Sequence, residues 1–224
     1  MTGRHPELVP LVDGSELRLT VAEPESVIRG GIVVFHEARG VTEGVRQLAD
    51  GLAGEGWLVV VPHLYHRDTV AELPDSASGH VERLSTTAVL TDTDGSVGWL
   101  AARGVSTDRT GVVGFGLGGA VALIAATRRD VGAAVTVAGI GIVEPVSPTL
   151  PALVEAAPEL RCPWLGIYGA HDVPRDEVHK LQHAVQAAQV ATDLVHVTCH
   201  PRTGQSATVE AWTRTLNWFD SHLR

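Results

Sequence analysis

The residues best placed for chemistry are one glycine-rich run and three single positions. Gly114-Phe115-Gly116-Leu117-Gly118-Gly119 lies between an apolar stretch and an alanine-rich one. A run of this kind makes the tight strand-to-helix turn on which hydrolases mount a nucleophile, and Gly116 holds the nucleophile position. The run also satisfies G-x-G-x-x-G, which cradles the pyrophosphate of a dinucleotide. That chemistry needs a carboxylate after the next strand, and Thr136-Val137-Ala138-Gly139 supplies none. Dinucleotide motifs also open the first βα unit, whereas this one lies mid-chain. The nucleophile turn is the better reading. Glu37, Asp172 and His200 each follow an apolar, strand-like run. A histidine oriented by a carboxylate activates a nucleophile, and a second carboxyl group can act as acid or base.

Each position has a plainer explanation. Glu37 would serve as a solvated loop residue. Asp172, before Val173-Pro174, would serve as a turn former. His200 is one of eleven histidines. His63 and His66 would form a metal pair with Glu37 or His200, and a metal would supply hydroxide. His-x-x-His in a loop is a thin basis for that, so neither a metal nor another cofactor is expected. Cys199 adjoins His200 and is a candidate substitute nucleophile, but neighbours on extended chain point to opposite faces, which argues against the two acting together. Cys162, before Pro163, reads as a core thiol.

These positions must be held by an α/β scaffold. Short β-rich runs alternate with helical patterns, the signature of a mostly parallel sheet with helices on both faces. Strands are expected at Leu17 to Val21, Gly31 to Phe35, Trp57 to Val61, Thr110 to Val113, Val131 to Val137, Pro163 to Tyr168 and Leu194 to Val197. Helices are expected around Val45 to Leu52, up to Ala101, at Leu117 to Thr127, around Val178 to Val185, and along the stripe Trp212, Leu216, Phe219 and Leu223. Arg67 to Val81 reads as polar loop. Ile140 to Arg161 contains four prolines and reads as an excursion over the sheet. Ligands on such sheets bind beyond the carboxyl ends of the strands, where the candidate residues fall.

Several motifs, in order, resemble the dienelactone hydrolase family. They are Phe35-His36-Glu37-Ala38-Arg39-Gly40, the stretch Leu52 to Arg67, Gly114 to Gly119, Gly169 to Pro174, and His200 after the last strand. The resemblance implies an α/β-hydrolase fold along nearly the whole chain. It implies a triad histidine at His200, its orienting aspartate at Asp172 and an activating glutamate at Glu37. The oxyanion hole would be the backbone N–H groups of Ala38 and Leu117. Arg67 matches a residue that helps hold a substrate carboxylate, and His63 takes the place of an aspartate in the same substrate-binding stretch. The family's nucleophilic cysteine is Gly116 here. Pro201-Arg202 replaces Gly-Phe after the histidine, and Val195 replaces an aromatic residue. The expected activity is therefore hydrolysis of a small ester, lactone or related carbonyl compound, anionic ones included. His200, Asp172 and Glu37 would act by acid–base chemistry with no covalent acyl-enzyme. Isomerase or lyase chemistry would use the same groups. The alternative is an inactive relative that binds a small molecule or a partner protein.

Bulk properties agree. A chain of 224 residues suits one α/β domain spanning 1–224. The net charge of -9 disfavours nucleic acid. No apolar run is long enough to cross a membrane, and Met1 to Pro10 has no signal-peptide core. A cytoplasmic monomer or homodimer acting on a small molecule is expected.

Overall fold

A computed structural model of the chain describes residues 3–68, 78–197 and 207–223. Among the described residues, eight strands form one sheet in the order β1-β2-β4-β3-β5-β6-β7-β8. They are β1 (Gly3–Pro10), β2 (Glu16–Glu23), β3 (Gly30–Phe35), β4 (Trp57–Pro62), β5 (Thr110–Phe115), β6 (Ala133–Val137), β7 (Trp164–Gly169) and β8 (Thr192–Val197). β1 and β2 are antiparallel to their neighbours, and the other pairings are parallel. The longer helices are α1 (Glu43–Gly54), α3 (Thr86–Ala101), α4 (Leu117–Arg128), α6 (Arg175–Val185) and α7 (Ala207–His222). One-turn helices α2 (Ser78–Val81) and α5 (Leu153–Ala156) lie in the segments read as loop and excursion.

Two apolar layers hold the sheet. Strand residues alternate between them: Val33 and Phe35 join the layer with α3, α4 and α6, while Ile32 and Val34 join the layer with α1 and α7. This alternation follows from the two-residue period of a strand. It also explains why the central strands read as continuous apolar runs, because both faces are covered.

One strand was not legible. The sheet was expected to begin at Leu17, yet β1 precedes it and pairs with β2 along its length. Pro6 and Pro10 interrupt the strand-like pattern there. Proline is tolerated because β1 is an edge strand, where one side of the backbone needs no partner.

The site depends most on the join between β5 and α4. A Cβ at Gly114 would lie 1.8 Å from the Gly118 carbonyl oxygen, and one at Gly118 would lie 2.1 Å from the Phe35 oxygen. Backbone therefore packs on backbone between the start of α4 and the ends of β3 and β5. Gly116, by contrast, has only Glu37 Cγ near its Cβ direction, at 3.9 Å. Gly114→Ala or Gly118→Ala should lose more than about 3 kcal/mol of stability, through overpacking against rigid backbone. Gly116→Ala should lose only about 1–2 kcal/mol, the cost of a side chain at positive φ. Urea unfolding of the three variants checks the contrast.

Candidate active site

Gly116 sits between β5 and α4 with φ +53° and ψ −113°. Glycine populates this region freely, whereas other residues pay for it. The turn is clamped on both sides. The Gly116 N–H donates to Val137 O at 3.0 Å, and the Ile140 N–H donates to Gly116 O at 3.3 Å. The strained shape of a nucleophile turn is thus kept, although the residue in it has no side chain. The Leu117 N–H, the first of α4, donates to no acceptor among the described residues.

Glu37 follows β3, which is hydrogen-bonded to β5. Its side chain lies beside the space a Gly116 side chain would enter. Its backbone is held by a neighbour that the sequence did not single out. His36 is buried at 1% exposure. Its Nε2 accepts the Leu64 N–H at 3.0 Å, so Nδ1 carries the proton and donates to Glu37 O at 2.7 Å. A trans peptide sets its C=O and N–H on opposite sides. Holding the Glu37 carbonyl therefore fixes the direction of the Ala38 N–H, which has no described acceptor. The next carbonyl, Ala38 O, accepts the buried Tyr65 hydroxyl at 2.9 Å. Burial pushes the His36 pKa down to about 4, against the opposing pull of the carbonyl bonds. Burial also raises the pKa of Tyr65. Both groups are neutral pins for the Glu37–Ala38 turn.

Asp172 follows β7. Its Oδ2 accepts the Gly169 N–H at 2.6 Å, which folds the carboxyl group back onto the strand end. Glu37 and Asp172 line one cavity of about 300 Å³ with the strand-end residues Phe115, Val137 and Val197. Leu48 and Leu52 of α1 and Trp212 of α7 complete its apolar wall. Ala138 also lines it and adopts φ +51°, the sole positive value among described non-glycine residues. The Ala138 N–H donates to Ile167 O at 2.8 Å, which holds it there. Nothing in its residue type announced this. Leu48, Leu52 and Trp212 carried a signal only as members of apolar helix stripes.

The structure does not bring Arg67 or His63 to this cavity. Arg67 donates to Asp13 at 2.8 Å and to Asp92 at 2.9 Å, tying the β1–β2 turn to α3. Asp92 is buried at 1% exposure, so a cation beside it is needed where it stands. His63 is buried, bonded through Nε2 to Thr20 Oγ1 at 2.9 Å, and burial drives its pKa down to about 3. His66 lies 3.1 Å from Asp92. His63 and His66 thus serve different partners, and no group of three metal-type ligands occurs among the described residues. Cys162 is buried and its thiol pKa is pushed up to about 12 by desolvation. His200 and Cys199 lie outside the described residues, as does Arg202.

The Dienelactone hydrolase family model matches residues 17–223. The chain belongs to the dienelactone hydrolase family. A Salmonella typhimurium protein named "Putative carboxymethylenebutenolidase" is 31% identical over 206 residues, covering 84% of this chain and 76% of that one. A carboxymethylenebutenolidase of Rhodococcus opacus is 28% identical, covering 86% and 81%. Among solved structures, a Klebsiella pneumoniae protein titled "Putative Dienelactone Hydrolase" superposes with a TM-score of 0.86 at 26% identity, covering 99% of this chain and all of that one. An acylaminoacyl peptidase of Pyrococcus horikoshii shares only the fold, with a TM-score of 0.77 at 14% identity, over 99% of this chain and 42% of that one. The sheet is that of the α/β-hydrolase fold, and the family is one of hydrolases. No helix among the described residues is long and apolar enough to cross a membrane.

Two outcomes test the pins around the site. Arg67→Met should cost about 2–4 kcal/mol by leaving the buried Asp92 carboxyl group with His66 as its remaining side-chain partner among the described residues, while KM for a small ester stays within about twofold. For His36 the folded pKa of about 4 lies below the ordinary 6.5. Between those values the unfolded chain binds a proton that the folded chain does not. Stability should therefore fall as pH drops through that window, by up to about 1.4 kcal/mol per pH unit. His63 adds a fall of the same sign. His36→Gln should make the fall in urea midpoint from pH 6.5 to 4.5 shallower.

Proposed function

We propose that this family member hydrolyses a small ester or lactone with water, rather than a side chain, as the attacking group. The carrying observation is Gly116, which keeps the strained nucleophile geometry while leaving open space beside Glu37. A water in that space would be the nucleophile. His200, oriented by Asp172, is assigned the role of base on sequence position and family membership. Glu37 would hold the water or deliver a proton to the leaving oxygen. The Ala38 and Leu117 N–H groups would stabilise the developing oxyanion, which is often the largest contribution to rate. Hydrolases stripped of a triad member still accelerate reaction about 10³–10⁴-fold over water, so a modest kcat is expected.

The loss of the nucleophile favours a second reading, in which the frame binds a ligand without turning it over. One experiment separates the two. Activated esters and small lactones are offered to the protein and to its Gly116→Cys and His200→Ala variants, with intact mass measured during turnover. Water attack predicts turnover without an enzyme adduct, abolished in His200→Ala, and an acyl adduct on Gly116→Cys alone. An inert starting protein whose Gly116→Cys variant becomes active would overturn water attack on these substrates and make a binding role, or chemistry outside the panel, the better reading.

A further inference from the structure

Resting on the hydrolase reading, we infer that the site takes an uncharged substrate with an apolar arm, seated between α1 and α7, rather than an anionic one. Arg67, the expected anion clamp, is not among the described residues that line the cavity. Arg67 is consumed by Asp13 and Asp92, and its guanidinium holds together elements away from the cavity. Among the described residues that line the cavity there is no arginine, lysine or histidine. The charged-type side chains among those described residues are acidic, Glu37 and Asp172. A substrate carboxylate would sit beside the Glu37 carboxyl group in a largely apolar chamber. There repulsion is poorly screened, and loss of hydration is not repaid.

The walls are suited to a hydrocarbon arm. Leu48 and Leu52 from α1 face Trp212 from α7, with Val113, Val137 and Val197 contributed by the sheet. The volume, about 300 Å³, is at the small end of ligand pockets. Its size is set partly by Gly51: a Cβ there would lie 3.2 Å from the Trp212 ring, so the glycine lets the indole lean on α1. Glu37, whose Cγ lies beside the space before Gly116, marks the reacting end, and the leucines and Trp212 mark the end that reads the arm.

The test compares esters of equal length and opposite charge character. 4-Nitrophenyl butyrate should have a kcat/KM about tenfold or more above that of 4-nitrophenyl hemisuccinate. Leu48→Phe, which fills the wall, should lower the hexanoate-to-acetate ratio of kcat/KM by about tenfold. A hemisuccinate turned over as well as the butyrate would overturn the proposal, with Arg202→Ala then showing whether that residue supplies the cation. An unchanged chain-length ratio in Leu48→Phe would also overturn it. If neither ester is turned over, the hydrolase reading fails, and calorimetric titration with hexanamide and with the monoamide of adipic acid decides the inference alone. Tighter binding of hexanamide supports it, and tighter binding of the acid overturns it.

Discussion

The site depends on a contact with no room for a side chain. The first turn of α4 presses its backbone on the ends of β3 and β5, and Gly114 and Gly118 are the residues that allow it. Such contact cannot be relaxed by rotating a side chain, because backbone meets backbone. It places the β5–α4 turn beside the loop that carries Glu37. It also leaves the Leu117 N–H at the head of a buried helix, where the partial positive charge of the helix end favours an anion. Gly116 is different in kind. Its backbone angles are special, but the space before it is open, so glycine there is a matter of chemistry and strain rather than clearance.

A second level of organisation is polar and buried. His36 and Tyr65 hold two successive carbonyls of the Glu37–Ala38 turn, and both are kept neutral by burial. Neutral groups suit this work, since a buried ion would carry a desolvation cost with no partner to offset it. The Arg67, Asp13, Asp92 and His66 cluster solves the opposite problem. There a buried carboxyl group on α3 needs a cation, and Arg67 provides it. The same residue type in the same stretch that could clamp a substrate is spent on structure. Electrostatics thereby shapes the cavity by what it withdraws as much as by what it supplies.

Part of this was legible in the residues alone. The alternating pattern of apolar runs and helical stripes determined the α/β layering, because a strand covered on both faces must be apolar throughout. The glycine run determined a tight turn between strand and helix. The order of motifs determined the family, and Glu37 and Asp172 were found at strand ends where the sheet's geometry puts them. The edge strand β1 escaped notice because its prolines mimic loop, and only its pairing with β2 makes them tolerable.

What the sequence could not determine was the assignment of individual polar side chains. Arg67 and His63 sit in a stretch that reads as substrate-binding, yet their partners are Asp13, Asp92 and Thr20, far away in the chain. His36 looked like one histidine among many until its two ring nitrogens were seen to be committed. Ala138 gave no sign of its left-handed backbone, and its N–H is bonded to β7 across the sheet. The physical reason is common to all of these. Local pattern reports which surfaces must be buried, and burial is a property of segments. Hydrogen bonds and ion pairs depend on ångström distances between residues remote in sequence, and only the folded chain sets those.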